Sequence, residues 1–235
     1  MTRQIMTRFG PAIPIAQYKY DGRVRYVVKD GLKLFAKHLE SRIAHDYQNI
    51  IVVDGQTGSG KSNCAIQLAL AMNKHWDIQS NYIYDITDLR RKLRNLDNHP
   101  ILLMDEGSII LNSLNTMKRD DQDIIAMFDT LRTKHITTIV CCPNMYKLNK
   151  TFRETHCQYR LLCPVKSPIP GYAARGFVHV HSHWTSNWKD SNSFPFVYTT
   201  VFDKIPRSMQ AQYDELKAKS QTRIIDRIIN GGKKE

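Results

Sequence analysis

A chain of 235 residues, 42% hydrophobic and 24% charged, is long enough to bury a core of its own, and its length fits one domain with appendages. The 34 Lys and Arg outnumber the 22 Asp and Glu to give a net charge of +12; this suits a phosphate-rich partner but is also the mark of any soluble basic protein. No apolar run approaches the roughly 20 residues that span a bilayer, so no transmembrane segment is expected. The opening MTRQIMTRFGPAIPIA lacks the apolar stretch of a signal peptide. The five cysteines, Cys64, Cys141, Cys142, Cys157 and Cys163, are odd in number and irregularly spaced; this argues against a disulfide framework and for reduced thiols in the cytoplasm.

Residues 1–17 contain proline and show no period, so an arm is expected there. YKYDGRVRYVV (18–28) reads as two short strands about an Asp21-Gly22 turn. Leu32, Leu34, Phe35, Leu39 and Ile43 then recur at helical spacing up to about Tyr47, and NIIVVD (49–54) is a short β-branched run of the kind found in buried parallel strands. After a glycine-rich turn, CAIQLALAMNKH (64–75) has helix-forming composition and NYIYD (81–85) reads as a second strand. TDLRRKLRNL (87–96) reads as a short helix opened by a Thr or Asp cap. PILLMDE (100–106) and HITTIVCC (135–142) are the third and fourth strands, separated by a polar loop and the helical segment DDQDIIAMFDTLRTK (120–134). Strands alternating with helices predict a parallel sheet. Beyond Cys163, two strand-like runs, GFVHVHS (176–182) and FPFVYTTVF (194–202), and a basic amphipathic helix over 208–229 are expected to extend the sheet and dock on it. The expected organisation is a single domain over 1–235: arm, hairpin and helix in 1–48, a nucleotide-binding core in 49–165, and an extension in 166–235.

GQTGSGKS (55–62) is a full match to GxxxxGK[ST], and it lies between an apolar strand and a helix, as phosphate binding requires. Gly55, Gln56, Thr57, Gly58, Ser59 and Gly60 form the loop, whose glycines let successive amides face phosphate oxygens near the positive end of the helix. Lys61 is expected on the β- and γ-phosphates and Ser62 on Mg²⁺. ILLMDE supplies the second half of the site. Asp105, ending a buried strand, is placed to hold Mg²⁺ through water, and Glu106 to polarise an attacking water, which a kinase does not need. Asn144, after the fourth strand, either hydrogen-bonds the γ-phosphate or lytic water, or simply starts a turn after Pro143. Arg132 and Arg153 compete as the arginine a neighbouring subunit would contribute, and either is equally readable as a solvated surface charge.

Two further clusters have a functional and a bland reading. His179, His181 and His183 alternate on one strand like metal ligands, but alternation also describes the exposed face of an edge strand. LRRKLR (89–94), LKAKSQTRIIDR (216–227), Lys118 and Arg119 can contact a phosphodiester backbone, or be charged faces in solvent.

With the P-loop, the Asp-Glu strand, the helix ending at Arg132 and the strand ending at Asn144 in that order, residues 49–165 resemble an additional-strand, catalytic-glutamate ATPase. DEGSIILNS and LRTKHITTIVCCPNMYKLNKTFRE are similar to the FtsK/HerA superfamily of DNA-pumping motors, which includes viral genome-packaging ATPases. Such motors usually carry glutamine at the end of the fourth strand, where this chain has Cys142, Pro143 and Asn144. The resemblance implies an α/β RecA-like P-loop NTPase with a mostly parallel central sheet flanked by helices. It also implies ATP and Mg²⁺ as cofactors, a homo-oligomeric ring around double-stranded DNA, and an arginine finger at Arg132 or Arg153. The function expected from it is an ATP-hydrolysing DNA translocase of viral or plasmid packaging type, with a capsid or membrane-associated assembly partner and, for a viral chain, the host cytoplasm as its location.

Three rivals share parts of this pattern. An AAA+ helicase loader or replication initiator would carry a C-terminal helical lid, an assembly ATPase would hydrolyse ATP without moving DNA, and a nucleoside kinase would have no use for Glu106.

Overall fold

Every residue of β5 (Asn49–Asp54) is buried, because the strand lies in the middle of a sheet covered on both faces, which is why its sequence is a continuous apolar run. The computed structural model describes residues 4–94, 100–111, 128, 134–172, 176–183 and 194–229. Ahead of β5 come β1 (Ile5–Thr7), β2 (Gly10–Ala12), β3 (Pro14–Tyr20), β4 (Arg23–Val28) and α1 (Gly31–Ile43). After it come α2 (Lys61–Met72), α3 (Ile78–Asn81), β6 (Tyr82–Ile83), α4 (Ile86–Arg94), β7 (Ile101–Met104) and α5 (Gly107–Ile110). The chain continues through β8 (Thr137–Cys142), β9 (Tyr159–Leu162), β10 (Phe177–Ser182), β11 (Phe196–Val201) and α6 (Arg207–Ile229).

β1 and β2 form a small antiparallel pair, and the other nine strands form one sheet in the order β3-β4-β11-β10-β9-β5-β8-β7-β6. From β9 to β6 all neighbours are parallel, whereas β3-β4, β11-β10 and β10-β9 are antiparallel. The sheet is therefore mostly parallel and flanked by helices, an α/β architecture. β8 lies between β5 and β7, so an additional strand separates the P-loop strand from the strand that ends in Asp105 and Glu106.

Alternation along the strands divides the core in two. Ile51 and Val53 pack with Phe35 and Leu39 of α1, Ala65 and Leu68 of α2, and Tyr213 and Leu216 of α6. Ile50 and Val52 pack on the opposite face with Leu89 and Leu93 of α4, Leu102 and Met104 of β7, and Phe152.

Several sequence expectations change. The expected arm contains β1, β2 and the start of β3, with Phe9 stacked on His38 and packed against Phe35. These strands are short and contain Pro11 and Pro14, so no two-residue period is visible. β9 is a further strand not expected from the sequence, because its side chains alternate between buried and half-buried over only four residues. The cap of α4 is Asp85, one residue before the helix, whose carboxylate accepts the Asp88 amide at 2.9 Å; neither Thr87 nor Asp88 caps it. The Asp21-Gly22 turn joins β3 and β4 with both residues at positive φ, 49° and 68°, as a tight right-twisted hairpin requires. The helix expected over 120–134 lies almost wholly outside the described residues. After Cys163 the described chain is β10, β11 and α6, without the helical lid of an AAA+ protein.

β10 is an interior strand, buried at every position, rather than an edge. His179 bonds Thr199 and sits among Tyr18, Tyr20 and Phe196, while His181 bonds the Phe194 carbonyl at 2.8 Å. Among the described residues no group of three or more His, Cys, Asp or Glu side chains is arranged to hold a metal. No described helix is long and apolar enough to cross a membrane.

Burial lowers the pKa of His179 to about 4, against about 6.5 for the unfolded chain. Its folded-state pKa is depressed, so its contribution to stability is complete above pH 6.5 and is lost as pH falls toward 4. Urea unfolding at pH 7.5 and pH 5.0 should show a loss of about 2 kcal/mol from this group at the lower pH, and His179→Asn should flatten the pH dependence by a similar amount.

Candidate functional site

The parallel strands β5, β8 and β7 end at the same side of the sheet, where the chain turns into loops and helix N-termini, the usual place for a ligand in an open α/β sheet. A cleft of about 670 Å³ opens there, lined by P-loop residues, Asp105 and Glu106, Cys142 and Pro143, and the stretch from Phe202 into α6.

The P-loop begins at Gly55 with φ 149°, and a Cβ at this position would lie 2.4 Å from the Cys163 carbonyl oxygen, so only glycine lets the loop pass this close to the residue after β9. Gly60 caps α2 at φ 93° with no side-chain cap. The first-turn amides of α2 have no intrahelical acceptor and face the cleft end of the helix, the arrangement that binds phosphate. Gln56, Thr57 and Gly58 are exposed, whereas Ser59 is buried with its hydroxyl unpartnered among the described groups. Lys61 folds back over the loop and donates to the Gln56 carbonyl at 3.0 Å.

Ser62 Oγ donates to Asp105 Oδ1 at 2.5 Å, joining the start of α2 to the end of β7 across the intervening β8. Asp105 is 4% exposed. Glu106 is half-buried; burial and the neighbouring Asp105 raise its pKa, and Lys217 and Lys61 oppose the rise. Gly107 presses this turn against β8, since a Cβ on it would lie 2.2 Å from Val140 Cγ1. A hydroxyl and a carboxylate oxygen held this close are hard donors that fit Mg²⁺, an ion that keeps several waters and takes few protein ligands.

The floor of the P-loop is a buried ion pair. Asp54, the last residue of β5, accepts Arg160 Nε at 2.9 Å and Nη2 at 2.8 Å, and also the Met145 amide at 3.4 Å. One carboxylate thus ties β5 to β9 and to the turn after β8. In the sequence Asp54 marks only the end of a strand; a carboxylate closing an otherwise apolar run is the one signal of this pairing that the sequence carries.

Lys61, Ser62, Asp105 and Glu106 come together in the lining of the cleft. Asn144 is not among the lining residues, is exposed, and accepts the Tyr146 amide at 2.9 Å, capping a single 3₁₀ turn. Arg153 is 8% exposed, with its guanidinium 5.1 Å from the centre of the Tyr146 ring and donating to the Tyr146 carbonyl at 3.3 Å. Arg132 lies outside the described residues. Two of the cleft residues from the C-terminal part of the chain reach the acidic turn: Tyr213 donates to Asp105 Oδ2 at 2.7 Å, and Lys217 stands 3.5 Å from the same oxygen. Sequence periodicity shows α6 as an amphipathic helix but not what it faces. The connection into α6 is fastened to α2, where Asn63 donates to the Asp203 carbonyl and accepts the Ile205 amide, and Gln67 donates to the Lys204 carbonyl.

No family model matches the chain, and no curated protein matches it. Among solved structures it is similar to the N-terminal domain of zonular occludens toxin from Neisseria meningitidis, at 10% identity and a TM-score of 0.40, covering 68% of this chain and 96% of that one. It is similar to the genome packaging NTPase of Sulfolobus turreted icosahedral virus 2 in complex with ATP-gammaS, at 11% identity and a TM-score of 0.43, covering 66% and 98%. A third similarity is to EssC (ATPases 2 and 3) from Geobacillus thermodenitrificans, at 11% identity and a TM-score of 0.43, covering 94% of this chain and 52% of that one. These likenesses are distant, and the site is read from its own geometry.

Arg160→Ala leaves the Asp54 carboxylate buried without its partner, so urea denaturation should show a loss of about 3–5 kcal/mol.

Proposed function

We propose that this protein hydrolyses ATP with Mg²⁺ and uses the reaction to move double-stranded DNA, as a viral or plasmid packaging-type motor. The observation that carries the ATPase reading is the Ser62–Asp105 hydrogen bond at the mouth of a P-loop, with Glu106 beside it in the same cleft. The β8 insertion supports it as well, because it sets the acidic pair one strand away from the P-loop strand at the same end of the sheet.

In this reading the amides of residues 58–62 and Lys61 hold the phosphates, and Ser62 and Asp105 would hold the metal, which would supply charge neutralisation for the phosphoryl transfer. Glu106 takes a proton from water as the water oxygen attacks the γ-phosphorus. The bond from that phosphorus to the bridging oxygen breaks, releasing ADP and phosphate. Burial keeps Glu106 more basic than an exposed glutamate, which suits this role.

The DNA part of the proposal rests on charge. The net charge is +12, and the two basic segments, far apart in sequence, meet beside β6: Arg223 of α6 lies 3.6 Å from Asp85 and 4.5 Å from the centre of the Tyr84 ring, next to α4 with Arg91 and Arg94 exposed. Part of this charge is locally paired, as in Arg91–Asp88 and Lys219–Glu215. The proposal further takes residues 1–235 as one ATPase unit acting in the cytoplasm as a homo-oligomeric ring. A neighbour's Arg132 or Arg153 would complete each site, and a capsid or membrane-associated partner would anchor the ring.

Steady-state ATP hydrolysis by wild type and Glu106→Gln, with and without linear duplex DNA at low and raised salt, tests both halves. The variant should lose a factor of roughly 10²–10⁴ in kcat, and DNA should accelerate the wild type in a salt-sensitive manner. Turnover that depends on Glu106 but ignores DNA would remove the motor and leave an assembly ATPase. Turnover indifferent to Glu106 would overturn the catalytic assignment.

A further inference from the structure

Of the α6 side chains that line the nucleotide cleft, Tyr213 and Lys217 are four residues apart and so on one helix face. The Tyr213 hydroxyl donates to Asp105 Oδ2 at 2.7 Å and accepts a hydrogen bond from Lys217 Nζ at 3.0 Å. Lys217 Nζ is itself 3.5 Å from that carboxylate oxygen. The Asp105 side chain is 1% exposed, so the lysine is its counter-charge where water has little access, while the Lys217 side chain, 35% exposed, opens onto the cleft.

Four cationic side chains line the cleft among the described residues: Lys61, Lys204, Arg207 and Lys217. Only Lys217 forms an ion pair with the Asp105 carboxylate that the metal needs. A metal-bound water and an ammonium compete for the same oxygen, so a cation entering beside Asp105 weakens the hold on Lys217. Asp105 would not then be left bare, because the Ser62 and Tyr213 hydroxyls still donate to its two oxygens. The displaced ammonium, on a flexible four-carbon stem, still lines the cleft with Lys61 and Glu106, and the terminal phosphate of a triphosphate carries more negative charge than the single carboxylate of Glu106 with which to pair it.

We propose that Lys217 is a triphosphate-sensing residue supplied in cis by the C-terminal helix: the ammonium that pairs with Asp105 is the one that pairs with the terminal phosphate of a bound nucleoside triphosphate. This rests on the nucleotide-binding reading of the cleft and deepens it, since it adds to Lys61 a second phosphate-pairing cation from the same chain, besides any from a neighbour. It also ties α6 to the state of the nucleotide.

The test is equilibrium binding of fluorescent ATPγS and fluorescent ADP, each with Mg²⁺, to wild type, Lys217→Met, Lys217→Gln, Lys217→Arg and Lys61→Ala, with thermal unfolding of each protein alongside. Lys217→Met and Lys217→Gln should weaken ATPγS about tenfold, as expected for loss of one charge-assisted hydrogen bond. ADP affinity should stay within about twofold, and Lys217→Arg should recover most of the ATPγS loss. Equal weakening of both nucleotides would mean that Lys217 only shapes the cleft, and unchanged affinity for both that it stays on Asp105; either result overturns the proposal. If Lys61→Ala also binds ATPγS like wild type, the nucleotide reading itself falls and takes this proposal with it. A strong Lys61 effect with a flat Lys217 series removes the Lys217 proposal alone.

Discussion

The arrangement of the site depends on one buried carboxylate that cannot be left without partners. Asp105 follows β7 into a low-dielectric position, and an isolated charge there would carry a desolvation cost of several kcal/mol. It is compensated by two hydroxyl donors and one counter-charge from two distant parts of the chain: Ser62 at the start of α2, Tyr213 on α6, and the Lys217 ammonium on the same helix. Satisfying this one group fixes the P-loop helix, the acidic turn and the C-terminal helix relative to one another, and it does so beside the cleft.

A second carboxylate does the same beneath the loop. Asp54 holds Arg160 through two hydrogen bonds and takes the Met145 amide as well, so the strand carrying the P-loop is joined to its neighbours on both sides just before the chain turns. Backbone hydrogen bonds alone would align β5 with β8 and β9. The ion pair adds a fixed position for the strand end, and the close passage of Gly55 under the Cys163 carbonyl depends on that position. Rigid support of this kind lets a loop of exposed residues such as Gln56, Thr57 and Gly58 keep a defined shape.

The sheet explains why the acidic pair and the P-loop meet at all. Parallel strands place their ends on one side, and β8 between β5 and β7 sets the spacing. The outer strands β10, β11, β4 and β3 carry this sheet away from the cleft, yet β11 leads directly into the segment 202–206 that lies over α2 and returns α6 to the site. The C-terminal third therefore contributes to the cleft as well as widening the sheet.

The P-loop and the four parallel strands were legible in the sequence because each rests on a local pattern: GxxxxGK[ST] after a β-branched run, and short apolar runs closed by Asp, Asn or Pro. Those patterns singled out Lys61, Ser62, Asp105 and Glu106 as one site, and the structure brings the four together in one cleft. Asn144 could not be decided by residue type, since an amide after Pro143 suits a sensor and a cap equally; its hydrogen bond to the Tyr146 amide shows it capping a turn. Arg153 read as exposed or catalytic, and only packing shows it buried against Tyr146. β9, the Asp54–Arg160 pair and the approach of Tyr213 and Lys217 were decided by tertiary structure alone. Each joins residues about a hundred positions apart or depends on which side of a short strand faces inward, and side-chain periodicity along the chain records that a face is buried without recording what covers it.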